Sequence, residues 1–431
     1  MGKIKFLCEY NFKEKKMNIE TLFEMALQIK EPWFISGIEF IAEKKRLNIN
    51  IDFKKGSTFY YESLEEGIKG NFKAYDTVVK EWRHLNFFEH ECYLIARIPR
   101  IDAGNGKIRQ IEAPWEGFSS GFTLLFEALI LQLAKSMTVH QMAKLIQEND
   151  HKIWGVLRYY VENSLKNNDY SDVKVIGIDE TSQKKRHNYI SLFVDLKEKK
   201  TIFIAQGKDN QTIKAFTEDF IVHNGVVENI SDVSCDMSPA FIKGVKENLP
   251  NATITFDKFH ILKIINEAVD EVRRQESRIN EVLKGKRYIF LKNSKNLSKK
   301  QQNQLESLSL SKLNLKSIRA LHIREAFQHI YSATTEYEFN LLLKKWYYWA
   351  THSKLEPIKK VAKTIKSHWD GVIAWKTSQI NNGILEGLNS LIQAAKAKSR
   401  GFKTFRNFRI IAFLLTGKLN FGILNKHLLP T

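Results

Sequence analysis

The chain has 431 residues, enough for roughly two to four domains with a substantial core. Hydrophobic residues make up 43% and charged residues 27%, which is ordinary for a globular protein and excludes a disordered or fibrous chain. Lys and Arg number 67 against 48 Asp and Glu, so the net charge is +19 and favours a polyanionic partner such as DNA or RNA. A lysine-rich protein without such a partner is the alternative.

Three cysteines, Cys8, Cys92 and Cys235, are too few and too scattered for a disulfide framework or a metal cluster. The first residues contain no apolar run long enough for a signal peptide. The most apolar stretch, residues 121–134, is interrupted by Glu127 and is shorter than a bilayer span. We therefore expect a cytoplasmic protein without a membrane-spanning segment.

Residues 1–118 are predicted to form a small β-rich module. Alternating apolar residues between Leu47 and Phe53 indicate one strand, and the sequence CYLIARIPRI at residues 92–101 indicates another. Several aromatic and aliphatic residues are expected to form its core: Trp33, Phe40, Ile51, Phe53, Trp82, Phe87, Phe88, Tyr93 and Trp115.

The segment 119–168 changes to a helical periodicity. Thr138 begins a capping-box sequence, and the polar turn QEND at residues 147–150 separates two short amphipathic helices. Two such helices are typical of a helix-turn-helix, in which Lys152 and Arg158 would contact DNA. A plain helical hairpin would give the same periodicity.

From residue 171 the pattern becomes mixed α/β. Three strand-like segments follow one another, and two further strands are each reached through a helix, which is the order of a ribonuclease-H-like sheet. We expect this core to occupy residues 171–278 and 376–431, interrupted by a lysine-rich helical insertion at 279–375. The predicted fold class is therefore α/β, with a ribonuclease-H-like catalytic core interrupted by a helical insertion and preceded by the β-rich module and the helix-turn-helix.

Three acidic residues are candidate ligands for a pair of divalent metal ions. Asp179 ends the first predicted strand of the sheet, and Asp236 ends the fourth, which in this order lies beside the first, about 4.8 Å away. Asp257 ends a strand one position further out and ranks behind Asp236. Glu386 is the only acid between residues 379 and 410, and no Lys or Arg stands three or four positions after it. Two-metal cleavage of a phosphodiester requires such hard oxygen ligands. A helix cap or a surface ion pair is the alternative for any one of these acids alone.

Five segments of the chain resemble one known family. The acidic motifs are GIDETSQKKRHNY, CDMSPAFIKGVKENLPNATITFDKFH and NGILEGLNSLIQAAK, and the upstream segments are EWRHLNFFEHECYLIARIPR and APWEGFSSGFTLLFEALI. Together they resemble the DDE-type insertion-sequence transposases of the ISL3 group, over nearly the whole chain from about residue 33. The resemblance implies that Asp179, Asp236 and Glu386 are the catalytic triad and its metal ligands. It also implies a helix-turn-helix that reads terminal inverted repeats.

The chain departs from that family at two places. Members usually carry a small zinc ribbon, but Tyr61 and Ala103 stand near the positions where its cysteines would be expected. We therefore expect no bound zinc and a module that folds on its apolar core. A Lys often follows the catalytic Glu by seven positions, and this chain has Gln393 there.

Basic residues near the acidic motifs are further candidates for DNA contact. The run from residue 396 to 409 is interleaved with Phe402, Phe405 and Phe408, which predicts a phosphate-binding face and a buried aromatic face. The sequence WYYW at residues 346–349 is interpreted as core of the insertion rather than as a platform for an unpaired base. The complete set of predicted DNA-contacting residues is Lys152, Arg158, Lys184, Lys185, His187, His260, Lys396, Lys398, Arg400, Lys403, Arg406 and Arg409. A capping or surface role is the alternative for His260 and for residues 184–187, and a solvated charged face is the alternative for residues 396–409.

The function expected from these features is cleavage at the ends of an insertion element, followed by transfer of the 3′-hydroxyl to target DNA. Mg²⁺ is the expected metal ion, with Mn²⁺ as a substitute. The expected partners are the double-stranded terminal repeats, the target DNA and at least one further copy of the chain. Two alternatives stay open: a catalytically decayed relative that only binds the terminal repeats, and a ribonuclease-H-like nuclease without strand transfer.

Overall fold

Two units make up the chain in the computed structural model, one within residues 1–162 and 420–431 and the other within residues 163–419. The structure describes residues 18–104, 106–118, 121–184, 188–310, 314–380 and 383–426. Among these residues, no helix combines the length and the apolar character that crossing a membrane requires.

A six-stranded sheet forms most of the first unit, and a short helix precedes it. Its strand order is β1-β2-β5-β4-β3, with β6 beside β5, and all neighbours are antiparallel except the parallel pair β2 and β5. The predicted alternation falls in β2, whose Leu47, Ile49 and Ile51 are buried. The elements are α1 (Ile19–Leu27), β1 (Trp33–Ile41), β2 (Arg46–Phe53), β3 (Thr58–Ser63), β4 (Ile68–Phe87), β5 (His90–Asp102) and β6 (Ile108–Gln110).

The core of this sheet contains part of the predicted aromatic set. Trp33, Ile51 and Trp82 are buried, and Phe53 and Trp115 are half-buried and pack against them. The indole of Trp33 lies edge-on to the rings of Phe53 and Trp115, at centroid distances of 5.8 and 5.2 Å. These contacts confirm that aromatic side chains build the core of the module.

Three aromatic residues predicted for this core are exposed instead, and for them the prediction is wrong. Phe87 and Phe88 lie at the turn between β4 and β5, where Phe88 is 85% exposed. Phe40 lies near the end of β1, and its ring centroid is 4.5 Å from that of His90. All three side chains therefore stand at one end of the sheet, beyond the interior of the core.

Three helices follow the sheet: α2 (Leu124–Ala134), α3 (Val139–Ile146) and α4 (Asp150–Lys166). The predicted capping box is confirmed, since the Thr138 hydroxyl accepts from the backbone N–H of Gln141 and the Gln141 side chain accepts from that of Thr138. Gln147 ends α3 in the left-handed region, with φ of 56°. The two helices around a short polar turn are thus present, and the division between the two units falls inside α4.

The second unit contains a five-stranded sheet with the order β11-β10-β7-β8-β9. The first three strands in the chain form an antiparallel meander, and β10 is parallel to both β7 and β11. This confirms the predicted strand order, in which the fourth strand lies beside the first. Its elements are β7 (Val175–Lys184), β8 (Asn188–Asp195), β9 (Lys200–Gln206), α5 (Asn210–Val222), β10 (Asp232–Cys235), α6 (Pro239–Asn248), β11 (Thr253–Phe256) and α7 (Lys258–Glu276).

The described residues after α7 form helices and no further strand. Of the WYYW sequence, Trp346 is buried and donates from Nε1 to the Ile323 carbonyl at 2.8 Å, whereas Tyr348 and Trp349 are exposed, so the core interpretation holds for Trp346. The helices are α8 (Arg287–Leu291), α9 (Lys299–Ser309), α10 (Lys316–Ile330), α11 (Glu336–His352), α12 (Glu356–Ser367), α13 (Trp369–Ser378), α14 (Gly383–Lys398) and α15 (Phe405–Thr416).

Gly177 in β7 allows α14 to approach the sheet closely. A Cβ at this position would lie 2.8 Å from Cδ1 of Leu385 and 2.9 Å from Cδ2 of Leu196, both too short for a normal contact. Leu385 is buried in a small apolar cluster together with Leu196 and Val194. The absent side chain at residue 177 therefore sets how near the first turn of α14 lies to β7.

We expect Gly177→Val to lower the free energy of unfolding by about 1–3 kcal/mol, because the added methyl groups overpack the contact with Leu385. Chemical denaturation followed by circular dichroism measures the change. Gly387→Ala is the matched control, since Gly387 is an exposed residue of α14. A Cβ added there would have no atom within 4 Å outside the backbone of its own helix. The control should be neutral or stabilising by roughly 0.5–1 kcal/mol, and equal destabilisation by both variants would contradict the close-approach argument.

Candidate active site

Three aspartates lie at one edge of the second sheet, Asp179 within β7, Asp236 directly after β10 and Asp257 directly after β11. β10 pairs with β7 up to Ser234, which stands opposite Gly177. Asp236 and Asp179 each follow that pair by two residues, and Asp236 lies near enough for its charge to act on Asp179. The register between β10 and β11 places Asp257 beside Asp236 on the other side. Neighbouring strands are about 4.8 Å apart, and side chains at one level of a parallel pair share a face. We call Asp179, Asp236 and Asp257 the aspartate row.

The strand that carries Asp179 continues past it, which corrects the expectation that Asp179 ends a strand. β7 runs on to Lys184 because its pairing with β8 extends to that residue. β10 ends at Cys235, so β7 loses its parallel neighbour at the level of Asp179. The Asp179 carboxylate therefore lies at the level where the parallel strand β10 ends, although β7 itself continues to Lys184.

Two donors hold the Asp179 carboxylate in place. Its Oδ1 accepts from the backbone N–H of Glu180 at 2.8 Å, and its Oδ2 accepts from Nδ2 of Asn389 in α14 at 2.9 Å. Gln393, one turn further along α14, donates to the Thr181 hydroxyl. Asn389 was not anticipated from the sequence, although a polar residue one turn after Glu386, on the helix face that carries buried Leu385, was a signal for it.

The other two members of the row bind the backbone that follows them. Asp236 Oδ1 accepts from the N–H of Ser238 at 2.9 Å, just before α6. Asp257 is buried and caps α7, with Oδ1 accepting from the N–H of Phe259 at 3.0 Å. The sheet order places Asp257 one strand further from Asp179 than Asp236, and the ranking of Asp257 behind Asp236 stays a prediction.

Burial and neighbouring negative charge both raise the pKa values of two acids at this edge, Asp179 and Glu180. Burial raises the pKa of Asp179, and the charge of Asp236 adds to that rise, whereas the hydrogen bond from Asn389 and the nearby His260 oppose it. Burial also raises the pKa of Glu180, and Lys208 opposes that change while Asp236 adds to it. Negative charge is thus concentrated at this edge of the sheet, and a bound cation would relieve the repulsion.

Two titratable side chains flank the row. Glu180 alternates to the opposite face of β7 from Asp179, and its Oε2 lies 3.6 Å from Nζ of Lys208. His260, in the first turn of α7, places Nδ1 3.7 Å from Oδ2 of Asp257. This contact places His260 at the same edge of the sheet as the aspartate row.

Glu386 is the predicted ligand that the structure does not bring into the row. It lies exposed in the first turn of α14, three residues before Asn389, so the two are neighbours on the helix surface. Within the described ranges, no three side chains among His, Cys, Asp and Glu are grouped so that they could hold a metal ion. Asp179 and Asp236 still fit a hard divalent cation, since both offer carboxylate oxygens at the same level of neighbouring strands. The role of Glu386 stays a prediction.

The predicted DNA contacts of the helix-turn-helix lie on α4. Lys152 is exposed, with Nζ 5.3 Å from the centroid of the Phe122 ring, and Arg158 is half-buried. Beyond Asp179, Lys184 is the last residue of β7. Lys185 and His187 lie outside the described residues.

Some side chains of the basic run after Glu386 are exposed to solvent, and others contact neighbouring residues of the protein. Lys396 is half-buried and donates from Nζ to the Ser182 carbonyl, and the Arg409 guanidinium lies 5.1 Å from the centroid of the Phe413 ring. The exposed members of the run lie at the end of α14, in the turn that follows and in the first residues of α15, and they are Lys398, Arg400, Lys403 and Arg406. Contact of the run with DNA phosphates stays a prediction, and these four residues are its exposed members.

The aromatic residues of the run form a partly buried face. Phe408 is buried, and its ring centroid lies 5.4 Å from that of the half-buried Phe402. Phe405 is half-buried as well. The expected buried aromatic face is confirmed for Phe408 and only partly for the other two.

Two protein-family models match parts of the chain. A family model described as transposase, of the ISL3 type, matches residues 176–412, more than half of the chain. A second model, described as the helix-turn-helix domain of transposase family ISL3, matches residues 114–161, which include α2, α3 and most of α4.

Two curated relatives cover most of the chain. The transposase for insertion sequence element IS1001 of Bordetella parapertussis is 24% identical over 342 residues, which are 77% of this chain and 83% of the relative. The transposase for insertion sequence element IS1557 of Mycobacterium tuberculosis is 23% identical over 366 residues, which are 78% and 81%. The aspartate row lies inside the matched family region.

We expect Asp179→Asn to raise the melting temperature at pH 7. The raised pKa of Asp179 means that ionisation opposes folding at neutral pH, and this cost disappears as the pH falls towards the ordinary value of 3.8. The gain should therefore shrink between pH 7 and pH 4, as measured by thermal unfolding at each pH.

Asp169→Asn is the control, because the Asp169 carboxylate is expected to stabilise the fold at pH 7 rather than destabilise it. The backbone N–H of Ser171 lowers the pKa of Asp169, so its carboxylate contributes stability above pH 3.8 that is lost as the pH falls. Asn at this position should not raise the melting temperature at pH 7. A destabilised Asp179→Asn protein at pH 7 would show that the bond from Asn389 outweighs the cost of burying the charge.

Proposed function

Since the chain belongs to the ISL3 family of transposases, we propose that it cuts DNA at the ends of an insertion element and joins the released 3′-hydroxyl to target DNA. The observation that carries this proposal is the position of Asp236, directly after β10, near Asp179 on the adjacent parallel strand β7, inside the matched family region. The sheet order around them is the one expected for a ribonuclease-H-like core interrupted by a helical insertion.

Asp179, Asp236 and Glu386 are the proposed ligands of divalent metal ions, Mg²⁺ with Mn²⁺ as a substitute. Such ions, when bound, activate the attacking oxygen and stabilise the leaving oxygen of the phosphodiester. Within the chain, Asn389 and the Glu180 N–H orient the Asp179 carboxylate. The contacts of α14 with β7 hold the helix turn that supplies Glu386.

The DNA partners divide between two surfaces in this proposal. The helix-turn-helix formed by α3 and α4 reads the terminal inverted repeats, with Lys152 and Arg158 towards the DNA. The exposed cations around Arg400 and Arg406 bind the phosphate backbone irrespective of sequence. Because an element has two ends that must be cut, the active assembly contains at least two copies of the chain.

A protein that binds the element ends without cutting them is the second candidate. The observation that favours it is the exposed position of Glu386, together with Gln393 at the position where the family often has Lys. Such a protein would keep the helix-turn-helix and the basic residues, because both serve DNA binding alone.

We expect Asp179→Asn, Asp236→Asn and Glu386→Gln each to reduce cleavage to background while binding to the element ends stays nearly unchanged. The carboxamides keep the shape of the side chains but lose the charge that holds the metal ions. End-labelled element DNA with Mg²⁺ measures cleavage and joining, and a gel shift in chelator measures binding.

Asp257→Asn is the matched control within the aspartate row, since Asn also caps helices well and should preserve α7. It should cut DNA as the unmodified protein does. Loss of cleavage in Asp257→Asn but not in Asp236→Asn would show that the wrong pair was assigned. Absence of any nicking by the unmodified protein would favour the binding-only candidate, and cut ends without joined products would indicate a nuclease without strand transfer.

Arg406→Ala should weaken binding to all duplexes alike and reduce the slope of log affinity against log salt by about one, because a phosphate contact carries no sequence information. Fluorescence anisotropy with element-end and unrelated duplexes measures both quantities. Arg97→Ala is the control, because Arg97 is exposed in the first unit and its Nη1 lies 3.0 Å from Asp52. A loss of affinity confined to duplexes with the element's own ends would contradict the proposal that Arg406 contacts DNA irrespective of sequence.

A further inference from the structure

A groove with a volume of about 830 Å³ runs along the outer side of α7, between that helix and residues 287–296. Phe259 stands in its lining with a side chain that is 53% exposed, and Leu262 and Leu291 supply apolar surface further along. We call this space the α7 groove. Its volume is in the range of pockets for small ligands, about 300–1,000 Å³, so it fits single nucleotides rather than a duplex.

Carboxamide side chains are unusually frequent in the α7 groove, which is lined by Asn266, Asn293, Asn296 and Gln328. Gln328 donates from Nε2 to Oδ1 of Asn293 at 2.8 Å, which orients both amides. Oδ1 of Asn266 is buried and has no hydrogen-bond partner among the described residues. An amide offers both a donor and an acceptor, and these are the groups that recognise the edges of nucleic-acid bases.

Cations surround these amides. Nε of Arg274 and Nε of Arg287 both lie 3.5 Å from the Asp270 carboxylate, which fixes two guanidinium groups that remain more than half exposed. Lys263 and Lys292 line the same space, so four cations stand against two carboxylates. This balance suits a ligand that carries phosphate groups.

One end of the α7 groove adjoins the aspartate row. Phe259 donates its backbone N–H to Asp257, and α7 then carries the groove for about 20 Å, from Phe259 to Arg274. The opposite wall is held by Arg324, a fully buried cation that donates to the carbonyls of Phe290 and Lys292 at 2.7 and 3.1 Å. The groove is therefore preformed, and its lining begins at Phe259, two residues after Asp257 at the edge of the sheet where cleavage is proposed.

We propose that the α7 groove binds unpaired nucleotides of a DNA strand beside the cleavage site. This inference rests on the proposed function, because it takes the aspartate row as the place where the strand is cut. Bases stack on the exposed ring of Phe259, the amides of Asn266 and its neighbours contact base edges, and Arg274 and Arg287 contact phosphates.

The test measures how the full-length protein binds a short fluorescent oligo-dT and a fluorescent hairpin duplex closed by a non-nucleotide linker, which has no unpaired nucleotide. Both measurements are made in EDTA so that no cutting occurs. Asn266→Leu and Arg287→Ala should each weaken oligo-dT binding roughly tenfold, the size of one lost base or phosphate contact, and leave hairpin binding unchanged. Lys300→Ala is the matched control, since Lys300 is an exposed cation on α9 outside the groove. Thermal unfolding of each variant checks that it is folded.

Unchanged oligo-dT affinity in both variants would overturn the proposal, and so would an equal loss for the oligo-dT and the hairpin, which would indicate a backbone contact made by any DNA. Photocrosslinking of an oligo-dT that carries a photoreactive thymine gives an independent outcome. The crosslinked peptide should contain Phe259 or Leu262, and crosslinks found only in other peptides would contradict the assignment. Because these measurements need no cleavage, a protein that fails to cut DNA but shows the expected losses would refute the proposed activity and not the groove.

Discussion

The parallel pairing of β10 with β7 and β11 is the constraint on which the candidate site depends. Side chains alternate across a strand, so a slip of one residue in this pairing would turn Asp236 to the face opposite Asp179. The pairing holds because Val233 and Cys235 are buried against Ile176 and Ile178 in a large apolar core. The same hydrophobic contacts that stabilise the sheet therefore bring two carboxylates to one level, where repulsion alone would keep them apart.

The ionised Asp179 carboxylate lowers the stability of the unit that positions it. Burial and neighbouring charge raise the pKa of Asp179, and its bond with Asn389 only partly offsets that cost. A divalent cation would remove most of the repulsion, so metal binding and folding are expected to favour each other. Gly177 and Leu385 keep the first turn of α14 close to β7, which limits how far Glu386 stands from the aspartates. The same few contacts therefore affect both the stability of this unit and the proposed chemistry.

The local patterns of the sequence were sufficient for much of the fold. Alternating apolar residues identified strands such as β2, and the capping box at Thr138 located the start of α3 because both signals act between residues close in the chain. The order of strands and helices also predicted that β10 lies beside β7, which follows from general rules for connecting parallel strands. From that order alone, Asp179 and Asp236 could be chosen as neighbours.

Other features depended on contacts between residues far apart in the chain. Asn389 reaches Asp179 across 210 positions, and no local pattern specifies which residues of α14 face the sheet. Phe87 and Phe88 are as apolar as Trp82, yet only Trp82 is buried, because the turn between β4 and β5 extends beyond the core. Composition and periodicity thus determined the class of elements, their order and the candidate acids. Tertiary packing decided which side chains are buried, which amide binds a carboxylate and which cations stay exposed, because each of these results depends on distances between residues that are far apart in the chain and meet only in the folded protein.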